Sequence, residues 1–66
     1  MNIMVNGRAE NASQGMTVSG LLEMYHFISE HVVVEINGNI IKKDQFSQTA
    51  IEPDDKIEIL KFVGGG

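Results

Sequence analysis

The sequence predicts an α+β domain in two layers, a mixed sheet of four to five strands with one helix packed on one face. Three observations carry this. An alternating apolar segment at the start runs into Asn6-Gly7, a pair suited to a two-residue hairpin because both central positions favour positive φ. Val18, Leu21, Leu22 and Tyr25 then fall at i, i+3, i+4 and i+7, one face of a helix. Two further strand-like segments follow, Val32-Val33-Val34-Glu35-Ile36 and Lys56-Ile57-Glu58-Ile59-Leu60-Lys61-Phe62.

Met1, Ile3 and Val5 alternate with Asn2, Met4 and Asn6, the period of a half-buried strand. The return strand, Arg8 to about Ala12, is weak in β propensity and depends on the turn to dictate its pairing. Ser13 to Met16 reads as a loop, and Thr17 as a helix N-cap whose hydroxyl accepts from a first-turn amide. Gly20 costs about 1 kcal/mol against alanine inside a helix, so packing must hold that helix together. It has no glycine stop and is expected to end near His26, with Phe27 and Ile28 carrying the core into the connection.

The β-branched run Val32–Ile36 reads as a central strand covered on much of both faces, closed by a second Asn-Gly at Asn37-Gly38. Asn39-Ile40-Ile41 suits a short strand, Lys42 to Phe46 a helical turn anchored by Phe46, and Ile51 a core contact. Glu52-Pro53-Asp54-Asp55 is turn chemistry with proline at the second position. With no repeat or internal linker, residues 1–66 read as one domain, with 63–66 as its flexible tail.

Composition narrows the function classes. A chain of 66 residues buries only about 60% of its unfolded surface, leaving little room for an enclosed active site. There are no cysteines, hence neither disulfides nor thiolate metal sites. A net charge of −4 with no basic cluster beyond Lys42-Lys43 argues against nucleic acid. No apolar stretch reaches the eighteen or so residues of a membrane span, and the opening residues do not form a signal peptide, so the expected location is cytoplasmic. His26 and His31 with Glu30 form a weak metal pattern, and Glu52, Asp54 and Asp55 lack the alternating ligands of a calcium loop. No serine stands in a nucleophile motif and no glycine-rich loop opens a helix. Neither a catalytic residue nor a metal site is expected.

The chain closes on Val63-Gly64-Gly65-Gly66, directly after a strand. Fraying accounts for such an end, and so does a side-chain-free carboxylate on a tether built to enter another protein. If Ile57 and Ile59 face the core, Leu60 and Phe62 share the outer face with Lys56 and Glu58. Met4 has the outward parity of the first strand, so Met4, Leu60, Phe62 and Val63 form a candidate partner-binding patch beside the glycines.

Taken together, Met1-Asn2-Ile3-Met4-Val5, Gly15-Met16-Thr17-Val18 with Leu21-Leu22, the apolar strand ending in Asn37-Gly38, the charged segment Lys42-Lys43-Asp44-Gln45-Phe46 and the closing Val63-Gly64-Gly65-Gly66 resemble a β-grasp, ubiquitin-like family: the sulfur carriers of thiamine biosynthesis, the ThiS family. Gly20 departs from that pattern, where many members carry a better helix former. The resemblance implies a carrier rather than an enzyme, with no permanently bound cofactor. An E1-like adenylyltransferase (ThiF type) would adenylate the Gly66 carboxylate with MgATP. A cysteine desulfurase or other sulfur donor would convert it to a thiocarboxylate, and thiazole synthase (ThiG type) would take the sulfur. Gly64, Gly65 and Gly66 would enter the partner's active site, three extended residues reaching roughly 10 Å. The sulfur carrier of molybdopterin synthase and a ubiquitin-like modifier or binding module are the alternatives.

Overall fold

The computed structural model describes residues 1–62; the expectations that fall on Val63, Gly64, Gly65 and Gly66 lie outside the described residues. Among the described residues five strands form one sheet: β1 (Asn2–Val5), β2 (Arg8–Asn11), β3 (Val32–Ile36), β4 (Asn39–Ile41) and β5 (Lys56–Lys61), in the order β2-β1-β5-β3-β4. β1 and β5 are parallel neighbours and every other pair is antiparallel. One α-helix among the described residues, α1 (Val18–Met24), crosses between the two hairpins. Its buried residues Val18, Leu21 and Leu22 join Ile3, Val5, Val34, Ile57 and Ile59 in one core on one side of the sheet.

The start of α1 is secured by a distant part of the chain. Thr17 caps it, its hydroxyl accepting from the Gly20 amide at 3.1 Å. The other early amides, Val18 and Ser19, donate to the carbonyls of Thr49 and Phe46 at 3.0 Å each. The segment around Phe46 and Ile51, both buried, thus closes one end of the core while satisfying donors that a helix leaves unpaired.

The helix stops in a Schellman motif. The amide of Phe27 donates to the Leu22 carbonyl and that of His26 to the Glu23 carbonyl, at 2.9 and 3.0 Å. The left-handed position, ordinarily glycine, is His26 at φ 62°. Phe27 turns back onto the core, but Ile28, expected to continue it, is 56% exposed. The motif reverses the chain after one inward side chain, so the next points away from the core.

The sheet corrects the expected place of Val32–Ile36. The central strand is β5, and β3 lies between it and the edge strand β4. Among the described residues helix cover exists on one face only, so Val32, Val34 and Ile36 are buried while Val33 and Glu35 are half-buried. A continuous β-branched run therefore does not distinguish one covered face from two.

Both Asn-Gly pairs form hairpin turns with positive φ at both positions: 50° and 80° at Asn6-Gly7, 52° and 86° at Asn37-Gly38. Each asparagine also grips β5. The Asn6 side chain accepts from the Ile59 amide at 2.7 Å and donates to the Ile59 carbonyl at 3.2 Å, prolonging the β1–β5 ladder where β1 turns away. The Asn37 side chain accepts from the Lys56 amide at 3.0 Å and donates to Asp55 at 2.9 Å. The turn before β5 places Pro53 second and Asp54, at φ 68°, third, with Asp55 donating its amide to the Glu52 carbonyl.

Candidate functional site

The candidate site is the end of β5 that leads into the glycines. Along β5, Ile57 and Ile59 are buried and Lys56, Glu58 and Leu60 are exposed, the parity expected from the sequence. Leu60 is 52% exposed and Phe62 43% exposed, both large apolar side chains. On the outer face Leu60 lies opposite Val33, and Glu58 opposite Glu35, by strand register. Phe62 lies just past the strand but continues its pairing, its amide donating to the His31 carbonyl at 3.0 Å.

Met4 does not join this group. It is half-buried and pairs in register with Lys56, in a shallow depression shared with Asn2, Ala9 and Asp54. Leu60 lies four residues further along the same strand, which at about 3.3 Å per residue is roughly 13 Å away. The face is shared but the ends differ. Parity alone locates a residue on a face; only the parallel register of β1 against β5 reveals the separation. Val63 of the same expected patch lies outside the described residues.

On the helix side of the same end, a pocket of about 100 Å³ is lined by His26, Phe27, Ile28, His31, Val32 and Lys61. Sequence reasoning noted both histidines as a weak metal pattern; the structure sets them around an apolar floor with Lys61. Glu30 turns to Lys43 at 3.5 Å, and its carboxyl is held below its ordinary range by its own backbone amide first and by Lys43 second. Among the described residues no three His, Cys, Asp or Glu side chains are grouped to hold a metal ion. The Asp55 carboxylate is engaged by the Glu52 amide and by Asn37.

A third recess lies between β2 and the end of α1, lined by Arg8, Glu10, Tyr25 and Phe27 among others. Burial first, and then the charge and hydrogen bonding of Glu10, push the Tyr25 phenol above its usual pKa. No buried side-chain nitrogen or oxygen among the described residues lacks a partner. No helix among them is long and apolar enough to cross a membrane. At the end of β5 the described residues thus present exposed apolar side chains on one face of the sheet and a nitrogen-rich pocket on the other.

A helix laid over a mixed sheet whose first and last strands run parallel at its centre defines the β-grasp, ubiquitin-like class of protein. The chain belongs to the ThiS family, whose sequence model matches residues 2–66. It is 40% identical over 50 residues to the sulfur carrier protein ThiS of Bacillus subtilis, covering 76% of each chain. A crystal structure of the thiamine biosynthesis protein ThiS from Geobacter metallireducens superimposes with a TM-score of 0.85 at 33% identity, over 100% of both chains. The chain is also 41% identical, over its full length, to a thiazole synthase of Paramagnetospirillum magneticum, but spans only 20% of that protein's length.

Proposed function

We propose that the chain is a sulfur carrier for construction of the thiazole ring of thiamine, acting as a protein co-substrate in the cytoplasm. The observation that carries the reading is the family match running through Gly66, joined to a β5 whose last exposed side chains, Leu60 and Phe62, immediately precede Val63 and the glycines. Relatives named as sulfur carriers and as a thiazole synthase support the thiamine acceptor over the molybdopterin one.

The reacting group is the α-carboxylate of Gly66, ionised at neutral pH because such groups titrate near 3.3–3.7. One of its oxygens attacks the α-phosphorus of ATP, supplied with magnesium at an E1-like enzyme of the ThiF type, and pyrophosphate leaves. The acyl-adenylate so formed is open to attack at carbon, where the carboxylate was not. The terminal sulfur of a persulfide attacks the acyl carbon, forming a C–S bond as AMP leaves. A thiol then attacks the inner sulfur of the resulting acyl disulfide. The persulfide's original S–S bond breaks, a disulfide forms on the donor, and the bonding electron pair departs with the thiocarboxylate. Thiazole synthase of the ThiG type takes that sulfur. Gly64, Gly65 and Gly66 keep the cross-section of the tail to backbone alone, so it passes a narrow entrance. Leu60, Phe62 and Val63 supply apolar docking area against the ordering cost of the tail, about 1–2 kcal/mol per residue.

Intact mass spectrometry tests the reading. After incubation with ATP, a ThiF-type enzyme and a sulfur donor, one oxygen at Gly66 is exchanged for sulfur; deletion of Gly66 abolishes the exchange and leaves the thermal midpoint unchanged. Absence of exchange with several cognate activating enzymes would overturn the proposal. Transfer of the sulfur to a pterin acceptor alone would choose the molybdopterin carrier instead.

A further inference from the structure

The pocket formed by His26, Ile28, His31 and Lys61 has a charge character opposite to that of the chain as a whole. The net charge is −4, yet the lining contains two imidazoles and an ammonium and no carboxylate. The acid nearest in sequence, Glu30, is near enough for His31 to favour its charge, but its carboxylate points to Lys43. By register Lys42 follows the Val34–Ile41 pair, so the basic end of β4 lies at the same end of the sheet. Ile28, 56% exposed, supplies an apolar rim.

His26 adds an independent observation. It occupies the left-handed position of the helix stop at φ 62°, where glycine would be unstrained. A strained position of this kind persists only where the surrounding structure over-determines it, and here it sets an imidazole at the rim of the pocket.

Position fixes what could fill the pocket. Four residues follow Phe62 in the sequence, and fully extended they span at most about 14 Å. An enzyme acting on Gly66 therefore comes within that distance of Phe62, whose amide is bonded to the carbonyl of His31 itself. An interface of ordinary size, about 800 Å² on each partner, covers both sides of the end of β5.

We propose that this pocket receives an acidic side chain of the enzyme that adenylates Gly66, its carboxylate meeting Lys61 and the two imidazoles while Ile28 packs against the adjoining surface. The assignment rests on the sulfur-carrier reading. It makes the docking surface two-sided, apolar on the outer face of β5 and cationic on the helix face, so the end of the strand is gripped in one orientation.

The test is ATP–pyrophosphate exchange by the ThiF-type enzyme of the same organism, with carrier concentration varied. Lys61→Glu raises the KM for carrier at least tenfold with kcat little changed, whereas Lys56→Glu, at the opposite end of the strand, stays within twofold. His26→Gly separates fold from contact: it raises Tm by about 2–5 °C through relief of strain, yet raises KM several-fold. A lysine in place of the facing enzyme acid restores binding of Lys61→Glu. Wild-type KM in both Lys61→Glu and His26→Gly, or equal losses in Lys61→Glu and Lys56→Glu, would overturn the pocket while leaving the carrier reading intact. Lack of exchange with wild-type carrier would remove both.

Discussion

The two halves of β5 contrast within one strand. From Lys56 to Ile59 it is bonded on both edges: Val5 and Ile36 flank Ile57 by register, the Asn6 and Asn37 amide groups hold the backbone at Ile59 and Lys56, and Ile57 and Ile59 are buried. From Leu60 to Phe62 it is paired with β3 and the adjoining His31 alone, while the edge beyond Asn6 has no partner strand among the described residues. The apolar side chains there are exposed. The first half holds the domain together and the second is the exposed end to which the proposed function assigns docking, so substitutions on either side of Ile59 should separate stability from docking.

The largest expected effect is at Asn6. Asn6→Gly keeps a residue tolerant of φ 50° but removes both side-chain bonds to Ile59, leaving a part-buried amide and carbonyl unsatisfied. Each such group costs about 1–3 kcal/mol, eased where water enters, so a loss of roughly 2–3 kcal/mol in urea unfolding is expected. A loss below about 0.5 kcal/mol would show that the turn, not the clamp, is what Asn6 contributes.

This clamp also marks where the sequence stopped being legible. Asn6-Gly7 and Asn37-Gly38 announce their hairpins because the turn conformation is a local property of those two residues. Alternation announces β1 and β5, and the spacing of Val18, Leu21 and Leu22 announces α1. The bond between Asn6 and Ile59 spans 53 positions and follows only from the strand order, which no local pattern encodes. The same gap explains Met4, placed on the right face but at the wrong end, and the choice of β3 over β5 as the central strand. The end of the helix near His26 was legible; the left-handed histidine was not, because glycine is the usual sign of such a stop. Ile28 read as core because hydrophobicity alone does not tell which way the chain faces after that stop.

A smaller effect is expected where the two halves meet. Glu58 and Glu35 are opposite one another in register on the outer face, and neither forms a salt bridge among the described residues. Like charges directly opposite are destabilising by a few tenths to about 1 kcal/mol. Glu58→Thr removes the repulsion and adds a β-branched residue, so unfolding free energy should rise by about 0.5 kcal/mol at low salt. The gain should shrink at high salt, where surface charges are screened. An equal gain at both would assign it to β propensity instead.

The smallest effect on folding is expected at Leu60, and there the contrast is sharpest. Its side chain is half exposed, with Val33 its register partner on the outer face, so Leu60→Thr forfeits little burial and keeps strand propensity. Stability should change by no more than about 0.5 kcal/mol, within the range of ordinary surface substitutions. A polar side chain there removes apolar area that a partner would bury, however, and affinity for the adenylating enzyme should fall by about tenfold, the equivalent of 1.4 kcal/mol. Isothermal titration and urea unfolding on the same variant read the two quantities separately. If Leu60→Thr unfolds as readily as Asn6→Gly, β5 is structural along its whole length and its exposed end is not a docking surface. If it binds and folds like wild type, docking is carried by the helix side of the strand, and the pocket around Lys61 becomes the principal contact.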